Sequence, residues 1–407
     1  MPPKPSRSPS SYGPSTVRAG RGLPCIVTSQ RSAEARVILT KIKTIWGALW
    51  TTVSKVSEER TSPHSIRKAS GDVLKVSGKR RVVAITGAAS FLGLNLIGLL
   101  EDDPRVSKIV CLDTTSPPTV GAKSRFYELD LVQPGAEERI AEVFAAEAVD
   151  TAVHLGLLES PSRETSYAHE LEGVGTMQVL NACRRARTHK LIVRSFTWLY
   201  GARATNPAFL SEKHVLRARA SDPFFQDKLA VEEQLLRFRQ PGQGRVVTVL
   251  RTAPVIGPSV DNFVTRYLRL ARVPTVLGFD PLWQFLHEAD AVAALKLAVD
   301  RDAPGVFNLA SEGVLPLSMA IRLLGRARLP LPRPLLKPTL GALWLAKVGN
   351  AAPALLEYLQ YACVADTSLA KSRLGFVPVF SSREALSDFA SAEQLREAKL
   401  LSSETPA

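Results

Sequence analysis

The sequence from residue 81 to residue 113 combines a buried strand, a turn of small residues, a helix and a second strand that ends in an acid. The strand RVVAI leads into TGAASFLG (86–93), and the helix begins inside this turn. Small side chains let the backbone and the helix N-terminus approach a pyrophosphate, which the free N–H groups and the helix dipole stabilise. We therefore predict a dinucleotide site whose phosphate contacts come from Gly87, Ser90, Phe91, Leu92 and Gly93.

The acid at the end of the second strand indicates which dinucleotide is bound. Asp113 closes the strand KIVCLD about twenty residues after Gly93, where a carboxylate accepts hydrogen bonds from the adenosine ribose. Because a 2′-phosphate would be repelled there, the prediction is NAD rather than NADP. An alternative stays open, in which the glycines only allow close packing of helix and strand. Ser90 supports that alternative, since a glycine at its place would let the backbone touch the phosphates.

Strands and helices alternate along the chain as far as residue 251. The predicted strands are 81–85, 108–113, 125–131, 151–156, 191–196 and 245–251, and the predicted helices after the first are 137–148, 168–186 and 222–239. Such alternation is typical of an α/β fold with a doubly wound parallel sheet of the Rossmann-like type. Ligands of these sheets bind beyond the carboxyl ends of the strands. We therefore expect an NAD-binding domain over residues 80–256.

The regular alternation ends near residue 257, where proline-rich connections such as RARLPLPRPLLKP (326–338) appear. This change predicts a smaller C-terminal substrate lobe with returning elements over 257–397, including a short strand at 306–310, and then a tail over 398–407. The apolar stretch 335–356 is interrupted by prolines and polar residues. It predicts one or two core-facing helices rather than a membrane span.

The first 79 residues differ in composition from the rest of the chain. They hold 14 Lys/Arg and 4 Asp/Glu, and so account for +10 of the net charge of +14. The remainder is nearly neutral, and no nucleic-acid partner is expected. The Pro/Ser/Arg-rich start predicts disorder, while residues 37–53 form an amphipathic segment. Three roles are open for it: weak contact with an anionic membrane surface, a targeting presequence, or a docked or poorly ordered extension.

The four cysteines of the 407-residue chain show no paired spacing. They are Cys25, Cys111, Cys183 and Cys363. Wide separation argues against a disulfide framework or a metal site and predicts small buried thiols in a reducing compartment. No secretory signal peptide is visible, so the expected location is cytoplasmic.

Seven short motifs follow one another along the chain between residues 86 and 378. They are TGAASFLG (86–93), ELDL (128–131), HLG (154–156), VRSFTWLYG (193–201), RTAPVIGP (251–258), FLHEADAVAAL (285–295) and SRLGFVP (372–378). Together they resemble the extended short-chain dehydrogenase/reductase superfamily, in its NAD-dependent epimerase/dehydratase branch. The resemblance implies that Asp130 and Leu131 lie at the adenine and that Leu155 and Gly156 lie beside the cofactor.

Catalysis in that superfamily depends on a tyrosine that exchanges the hydroxyl proton and on a lysine four residues later. The lysine depresses the pKa of the tyrosine and holds the nicotinamide ribose. The corresponding lysine is Lys228, but Phe224, which has no ionisable proton, takes the place of the tyrosine. The superfamily's serine or threonine falls on Phe196, and an asparagine of the preceding helix falls on Glu172. The usual relay therefore cannot run through position 224.

One interpretation is an NAD-dependent oxidoreductase or epimerase with a displaced acid or base, acting on a nucleotide-sugar or a similar alcohol/ketone pair. Its predicted catalytic residues are Lys228, Tyr200 and Thr197, and further candidates for the proton carrier are Asp227, Glu212 and His214. Thr197 requires a bulge at the strand end, since alternation points Ser195 and Thr197 away from the face of Phe196. Arg251 is expected to bind the substrate, and Arg251 and the basic stretch 322–337 are candidates to meet a diphosphate.

The other interpretation is an NAD(H)-binding sensor or scaffold that turns no substrate over. In both interpretations, His154 is expected to pack and hydrogen-bond at a buried strand end, and Asp290 is expected to cap the helix AVAAL. The helices 168–186 and 222–239 correspond to those that form a four-helix interface in the superfamily, so the resemblance implies a homodimer.

Overall fold

A central parallel sheet carries the NAD-binding half predicted from the sequence. The structure, a computed structural model, describes residues 80–118, 121–218, 222–239, 244–346 and 353–403. The basic extension and its amphipathic segment 37–53 lie outside the described residues. The strands are β1 (Arg81–Thr86), β2 (Val106–Asp113), β3 (Ser124–Glu128), β4 (Thr151–His154), β5 (Lys190–Phe196), β6 (Val246–Thr252), β7 (Val255–Ile256), β8 (Arg272–Val276), β9 (Leu282–Trp283), β10 (Leu286–His287), β11 (Gly305–Leu309), β12 (Leu315–Pro316) and β13 (Ala327–Leu331).

Helices connect these strands. They are α1 (Phe91–Glu101), α2 (Ala136–Ala146), α3 (Thr165–His169, a π turn Glu170–Gly175 and Thr176–Arg185), α4 (Pro223–Phe238), α5 (Phe263–Leu268), α6 (Glu288–Asp300), α7 (Leu317–Leu323), α8 (Arg333–Leu345) and α9 (Ser382–Ser403). Short 3₁₀ turns occupy Thr197–Tyr200 and Pro353–Leu355, and a π turn occupies Ala370–Leu374. Wide π turns inside helices are frequent at functional sites, and the one in α3 carries Glu172.

Seven of the strands form the main sheet, in the order β11-β6-β5-β4-β1-β2-β3 and with every pair parallel. The connections leave β1 towards opposite edges, and this reversal creates a crevice beyond the carboxyl ends of β1 and β4. The predicted fold class is therefore confirmed. The strand predicted at 306–310 is β11, which pairs with β6 at the edge of this sheet rather than within the lobe.

Helices cover both faces of the sheet. On one face, Ile85 of β1 lies in a core cluster with Leu96 of α1 and Leu295 of α6. On the other, Ala84 lies in a cluster with Val179 of α3. Neighbouring residues of a strand point to opposite faces, so an apolar run such as that of β1 fits a strand buried on both sides.

The smaller lobe shares an aromatic core with the end of β5 and the start of α4. Trp198, in the turn after β5, stacks on Tyr358 with ring centroids 4.2 Å apart. Trp283 of β9 packs against Trp198 at 5.3 Å, and Phe225 of α4 packs against Tyr358 at 5.5 Å. Such aromatic pairs stabilise beyond the area that they bury. The lobe is therefore fixed to the sheet beside the crevice.

The structure corrects two local predictions in the C-terminal part. His287, not Asp290, caps α6: its Nδ1 accepts a hydrogen bond from Ala289 N at 3.2 Å. Asp290 lies inside the helix, where its carboxylate accepts from the backbone N–H groups of Val379 and Phe380 at 2.9 and 3.1 Å. Residues 398–403, predicted as part of a tail, continue α9.

The apolar stretch that begins at residue 335 starts within α8, where Leu336 and Leu340 are buried in the lobe. This part of the stretch therefore faces the core, as predicted. Within the described residues, no helix is long and apolar enough to cross a membrane.

The three described cysteines should be unreactive in the folded protein. Cys111, Cys183 and Cys363 are buried and free, and burial raises the pKa of Cys111 to about 11 and that of Cys183 to about 12. Because the thiolate is the reactive form, we expect a Cys25→Ser variant to give no reaction with Ellman's reagent at pH 8 until it is unfolded. Three thiols should then react in guanidinium chloride. Rapid labelling of the native protein would contradict this placement.

Candidate functional site

The turn between β1 and α1 approaches the end of β4 very closely. Gly87 has a φ of +69°, in the left-handed region that favours glycine. A Cβ on Gly87 would lie 2.5 Å from the carbonyl carbon of Leu155, and a Cβ on Gly93 would lie 2.5 Å from the carbonyl oxygen of Gly87. Both glycines are therefore required by packing within the protein itself, independently of any bound phosphate.

Ser90 is the N-cap of α1. Its backbone is extended, with φ −65° and ψ 159°, a conformation that does not require glycine. Its Oγ accepts a hydrogen bond from Gly93 N at 3.1 Å, so one donor of the first helical turn is already used. The N–H groups of Phe91 and Leu92 are the remaining donors that such a helix start offers to an anion.

Asp113 is anchored next to this turn. Its Oδ2 accepts from Ala89 N at 2.9 Å, and its Oδ1 accepts from Thr114 N at 2.8 Å. The carboxylate thus lies between the end of β2 and the turn that precedes α1. This is the position that the sequence predicted for a ribose-binding acid.

Other predicted cofactor residues meet at the ends of β3 and β4. A Cβ on Gly156 would lie 2.7 Å from Leu131 Cδ1 and 3.5 Å from Gly87 N. Leu131 and Leu155 are buried, while Asp130 binds the backbone locally, with its Oδ1 accepting from Val132 N at 3.0 Å. The structure therefore places Leu155 and Gly156 against the glycine turn and Leu131 against Gly156.

Lys228 of α4 forms a buried ion pair with Glu172. The distance from Nζ to Oε1 is 2.6 Å, and the same Oε1 accepts from Leu158 N at 2.6 Å. Glu172 is 1% exposed, and its Oε2 has no hydrogen-bond partner among the described residues. Phe224, one helical turn before the lysine, has its ring centroid 5.5 Å from Nζ. A carboxylate, not a phenol, is therefore the partner of this lysine.

Phenylalanines fill the space where the relay hydroxyls would lie. The ring of Phe263 is 5.6 Å from that of Phe224 and 6.2 Å from that of Phe196. With Lys228 they line a cavity of about 20 Å³, which has room for about one water molecule. The described residues that line it include no tyrosine. Ser195 also borders it, but its hydroxyl donates to Glu232, as the alternation along β5 predicts.

Tyr200 and Arg251 belong to a buried polar network. Arg251 donates to both carboxylate oxygens of Glu232, at 2.8 and 2.9 Å, and to the Tyr200 hydroxyl at 2.9 Å. Tyr200 in turn donates to Asn308 Oδ1 at 2.8 Å. Burial raises the pKa of Tyr200, although the charge of Arg251 opposes this. Neither side chain lines the cavity at Lys228, and the guanidinium is engaged by protein groups, so the predicted roles of Tyr200 and Arg251 find no support in this geometry.

Three other candidates also lie away from that cavity. Thr197 is buried, and its carbonyl oxygen accepts from Cys363 Sγ at 3.7 Å in the core of the lobe. Glu212 Oε1 accepts from Asn308 N at 2.8 Å, and burial raises the pKa of this carboxyl. His214 binds within its own loop. The structure therefore gives no contact between these residues and Lys228.

Asp227 is the candidate that the structure places close to the lysine pair. It is buried on α4, and its Oδ1 is 2.6 Å from Nδ1 of the exposed His169. Asp227, Glu172 and Phe224 line a cavity of about 320 Å³. These two carboxylates, together with that of Asp222, thus border a space large enough for a small molecule.

His154 has the structural role that the sequence predicted. Its Nδ1 lies 2.7 Å from Thr86 Oγ1, and its Nε2 lies 3.1 Å from Thr176 Oγ1. Burial, with the charge of Lys228, lowers the pKa of His154 to about 3. The ring is therefore neutral at physiological pH and held by two hydroxyl groups.

From the sequence, Glu172 stands out only as a replacement for an asparagine. The sequence did contain a signal for the ion pair, because a lysine on a core-facing helix, such as Lys228, needs a counter-charge. Glu172 is an acid on the predicted helix 168–186, which precedes the helix of Lys228. The same reasoning applies to Arg251 and Glu232. Sequence separation hides such pairs, since the partners are 56 residues apart in one case and 19 in the other.

Comparisons with known proteins agree with the fold. The model of the NAD dependent epimerase/dehydratase family matches residues 83–310. An uncharacterised protein of Mycobacterium tuberculosis is 31% identical over 324 residues, which are 76% of this chain and 83% of the relative. Among solved structures, UDP-glucose 4-epimerase of Thermotoga maritima has a TM-score of 0.60 at 20% identity and covers 78% of this chain and 99% of its own. The dTDP-glucose 4,6-dehydratase of Bacillus anthracis, solved with NAD, has a TM-score of 0.59 at 14% identity, with coverages of 78% and 98%.

The chain belongs to the NAD dependent epimerase/dehydratase family. NAD is the cofactor of this family, as the sequence predicted. The residues present fit the adenosine and pyrophosphate half of NAD, because an anchored carboxylate and a helix start adjoin the cradle that a Cβ on Gly87 or Gly93 would fill. The nicotinamide end differs from the family's pattern, because Phe224 and Phe196 cannot exchange a proton.

Replacing Ser90 by glycine should test the cofactor turn. We expect Ser90→Gly to change the free energy of unfolding by only a few tenths of a kcal/mol, since glycine is a tolerated N-cap. The change frees Gly93 N–H for a phosphate, so NAD should bind about fivefold more tightly, the worth of about one hydrogen bond. Calorimetric titration of the full chain measures both affinities. If only the variant binds NAD, the serine closes the turn and the fit described above is wrong.

Arg251→Met should show whether this arginine is structural. Removing one member of a buried ion pair leaves the other charged and unpaired, and we expect a loss of about 3–5 kcal/mol in the free energy of unfolding. The control is Arg237→Met, which breaks an exposed ion pair with Glu233 within α4. It should lower the free energy of unfolding by less than about 1 kcal/mol. Urea unfolding measures both. Unchanged stability in Arg251→Met would restore the substrate-binding role.

Proposed function

We propose that this chain is an NAD-dependent oxidoreductase or epimerase whose active site does not use the tyrosine relay. The observation that carries the proposal is the buried Lys228–Glu172 pair beside a cavity of about 320 Å³. Lys228, the lysine of the family's relay, is present in this chain, and its partner is the carboxylate of Glu172. Asp227, the residue before the lysine, adds a second carboxyl group at the same cavity.

Each part of the site has a task in this proposal. NAD, when bound, supplies the hydride chemistry at its nicotinamide. Asp113 and the start of α1 hold the ribose and the pyrophosphate. Glu172 Oε2, which has no partner in the described part of the chain, accepts the proton of a substrate hydroxyl or returns it, and Lys228 fixes the other oxygen. Phe224 and Phe196 leave room for only about one water molecule in the space that they line.

The proposed substrate is an alcohol/ketone pair. The two solved enzymes named above are a UDP-glucose 4-epimerase and a dTDP-glucose 4,6-dehydratase, and this motivates a nucleotide-sugar as one member of the class. Because Arg251 is engaged with Glu232, a diphosphate would have to meet other basic residues. Arg328 of β13 and Lys337 of α8 are exposed in the lobe and are candidates.

A second function is favoured by one specific observation. The cavity between Phe224, Phe196 and Phe263 has a volume of only about 20 Å³, less than a nicotinamide ring and a substrate need. If these rings keep their positions, the chain binds NAD(H) through its adenosine half and serves as a sensor or scaffold. Saturable NAD binding without turnover is the result that distinguishes this function.

We further propose a cytoplasmic homodimer. Large apolar side chains are exposed on α3 and α4, namely Tyr167, Val174, Met177 and Leu236. A second copy would remove them from water, as exposed apolar patches often require. Three free buried thiols fit a reducing compartment. Contact of residues 37–53 with an anionic membrane surface stays a proposal from the sequence.

Glu172→Gln should separate catalysis from cofactor binding. The amide keeps an oxygen for Lys228 but cannot take a proton, so turnover should fall by about 10²–10⁴-fold, while the Kd for NAD changes by less than about twofold. NADH absorbance at 340 nm is followed with UDP-glucose, dTDP-glucose and secondary alcohols, and calorimetry gives the Kd.

Glu233→Gln is the matched control, because Glu233 lies on α4 with an exposed side chain. It should leave both quantities unchanged. Full activity in Glu172→Gln would exclude this carboxyl group as the proton carrier. Absence of turnover in the unmodified chain, together with saturable NAD binding, would select the sensor or scaffold.

A further inference from the structure

An ion pair at the small cavity is used by no step of the proposed reaction. Arg194 of β5 pairs with Glu159, which lies in the loop between β4 and α3. Both residues line the cavity of about 20 Å³ together with Lys228. A positive and a negative side chain thus border the space beside the lysine of the candidate site.

The acid of this pair is far more exposed than its base. The side chain of Arg194 is 14% exposed, whereas that of Glu159 is 38% exposed. The acid that pairs with Lys228 is only 2% exposed, and the one that pairs with Arg251 is 7% exposed. A mostly buried guanidinium needs a counter-charge, but a carboxylate at the surface loses little when it returns to water. Glu159 is therefore the acid that another anion can replace at low cost.

The loop around Glu159 is held in place on both sides. Leu158 N donates to Glu172 Oε1 at 2.6 Å, and the hydroxyl oxygen of Ser160 accepts from Phe263 N at 2.9 Å. Exposed side chains change rotamer within picoseconds to nanoseconds. Replacement of the carboxylate therefore requires rotation of one side chain and no movement of the loop.

The guanidinium of Arg194 is oriented by the protein and keeps a donor in reserve. Its Nε donates to Thr252 Oγ1 at 3.2 Å, and its Nη1 donates to Glu159 Oε1. Among the described residues, Nη2 makes no hydrogen bond. Arginine binds carboxylates most strongly when two parallel N–H groups donate at once. An incoming carboxylate that meets both Nη1 and Nη2 would therefore bind better than Glu159 does.

We propose that Arg194 binds the carboxylate of a small 2-hydroxy acid and that Glu159 occupies this place until the acid arrives. The inference rests on the proposed function, because it narrows the alcohol/ketone pair to a 2-hydroxy acid and its 2-keto acid. The chemistry is the conversion already proposed, in which NAD⁺ takes the hydride from C2 and Glu172 takes the hydroxyl proton.

The available volume fits an acid of this size. The side chain of glutamate ends in two methylene groups and a carboxylate, and lactate has nearly this shape with a hydroxyl group added. Lactate therefore fills the space that the Glu159 side chain leaves, and the cavity of about 20 Å³ has room for about one water molecule and hence for the added hydroxyl group. A tetrahedral phosphate is bulkier than the planar carboxylate that it would replace, so the geometry favours a carboxylate.

The test compares probes that differ in charge. Lactate is an anion at pH 7, and lactamide has nearly the same shape but no charge. Calorimetric titrations of both enantiomers into the full chain should show one lactate site and at least tenfold weaker binding of lactamide, because charge-assisted hydrogen bonds are roughly twice as strong as neutral ones. Equal affinity for the two probes, or no binding of lactate, overturns the proposal. Tighter binding of inorganic phosphate than of lactate also overturns it, since the anion would then be a phosphate.

Variants of the two partners should change lactate binding in opposite directions. Arg194→Met should weaken it at least tenfold. Glu159→Gln removes the competing charge and keeps an oxygen for Nη1, so lactate should bind about fivefold more tightly, the worth of about one hydrogen bond. Arg194→Lys keeps the charge without the paired donors, should also weaken binding, and covers the case in which Arg194→Met folds poorly.

The controls are Arg237→Met and Glu233→Gln, which break an exposed ion pair of α4 and should leave lactate affinity unchanged. Unchanged affinity in folded Arg194→Lys and Arg194→Met would place lactate elsewhere and overturn the assignment. Weaker binding in Glu159→Gln would show that this acid supports the site rather than competes for it, and would overturn the exchange.

NADH absorbance with lactate and NAD⁺ separates this inference from the proposed function. Lactate binding that depends on Arg194, without NADH formation, would keep the acid site and overturn the proposed reaction. Turnover of neutral alcohols at an equal rate in the unmodified chain and in Arg194→Met, without lactate binding, would keep the proposed reaction and overturn the acid site.

Discussion

A lysine inside a protein needs a counter-charge, because burial penalises the charged form and an unpaired charge is costly. Lys228 meets this requirement through Glu172, which is itself buried. The pair joins the π turn of α3 to α4, and these are two of the helices that border the larger cavity. The positions of Phe224, one turn before the lysine, and of Asp227, beside it, follow from the same contact. The arrangement of the candidate site thus depends on one ion pair.

This pair also explains how the relay could be lost while the lysine was kept. In the family's relay a phenol stands four residues before the lysine, and here Phe224 presents only a ring face to Nζ. Without Glu172 the lysine would have a weak cation–π contact as its main partner, too little to offset burial. The carboxylate therefore offsets the buried charge of the lysine, and its Oε2, which has no hydrogen-bond partner among the described residues, carries the chemistry that we propose. One residue serves both purposes.

Much of the fold could be predicted from the sequence, because the signals were local. The strand, turn and helix of residues 81–101 and the alternation that follows depend on apolar runs and glycines, and they were found where predicted. The departures at Phe224 and Phe196 were also visible from the sequence. Polar partners that lie far apart in the sequence could not be predicted. Arg251 was assigned to a diphosphate because nothing local reveals that Glu232 neutralises it, and Asp290 was taken as a cap because its true partners, Val379 and Phe380, are about 90 residues away.

The two halves of the cofactor site obey different constraints. Gly87 and Gly93 are required by contacts within the protein, since a Cβ on either would meet backbone at 2.5 Å. Folding alone therefore preserves the phosphate turn, even in a chain that has no need of turnover. No such backbone contact is at stake at position 224, where the ring of a phenylalanine packs against that of Phe263. An intact glycine turn is thus evidence for the fold and for the space in which NAD lies. Evidence for catalysis has to come from the carboxyl groups of Glu172 and Asp227 at the other end of the site.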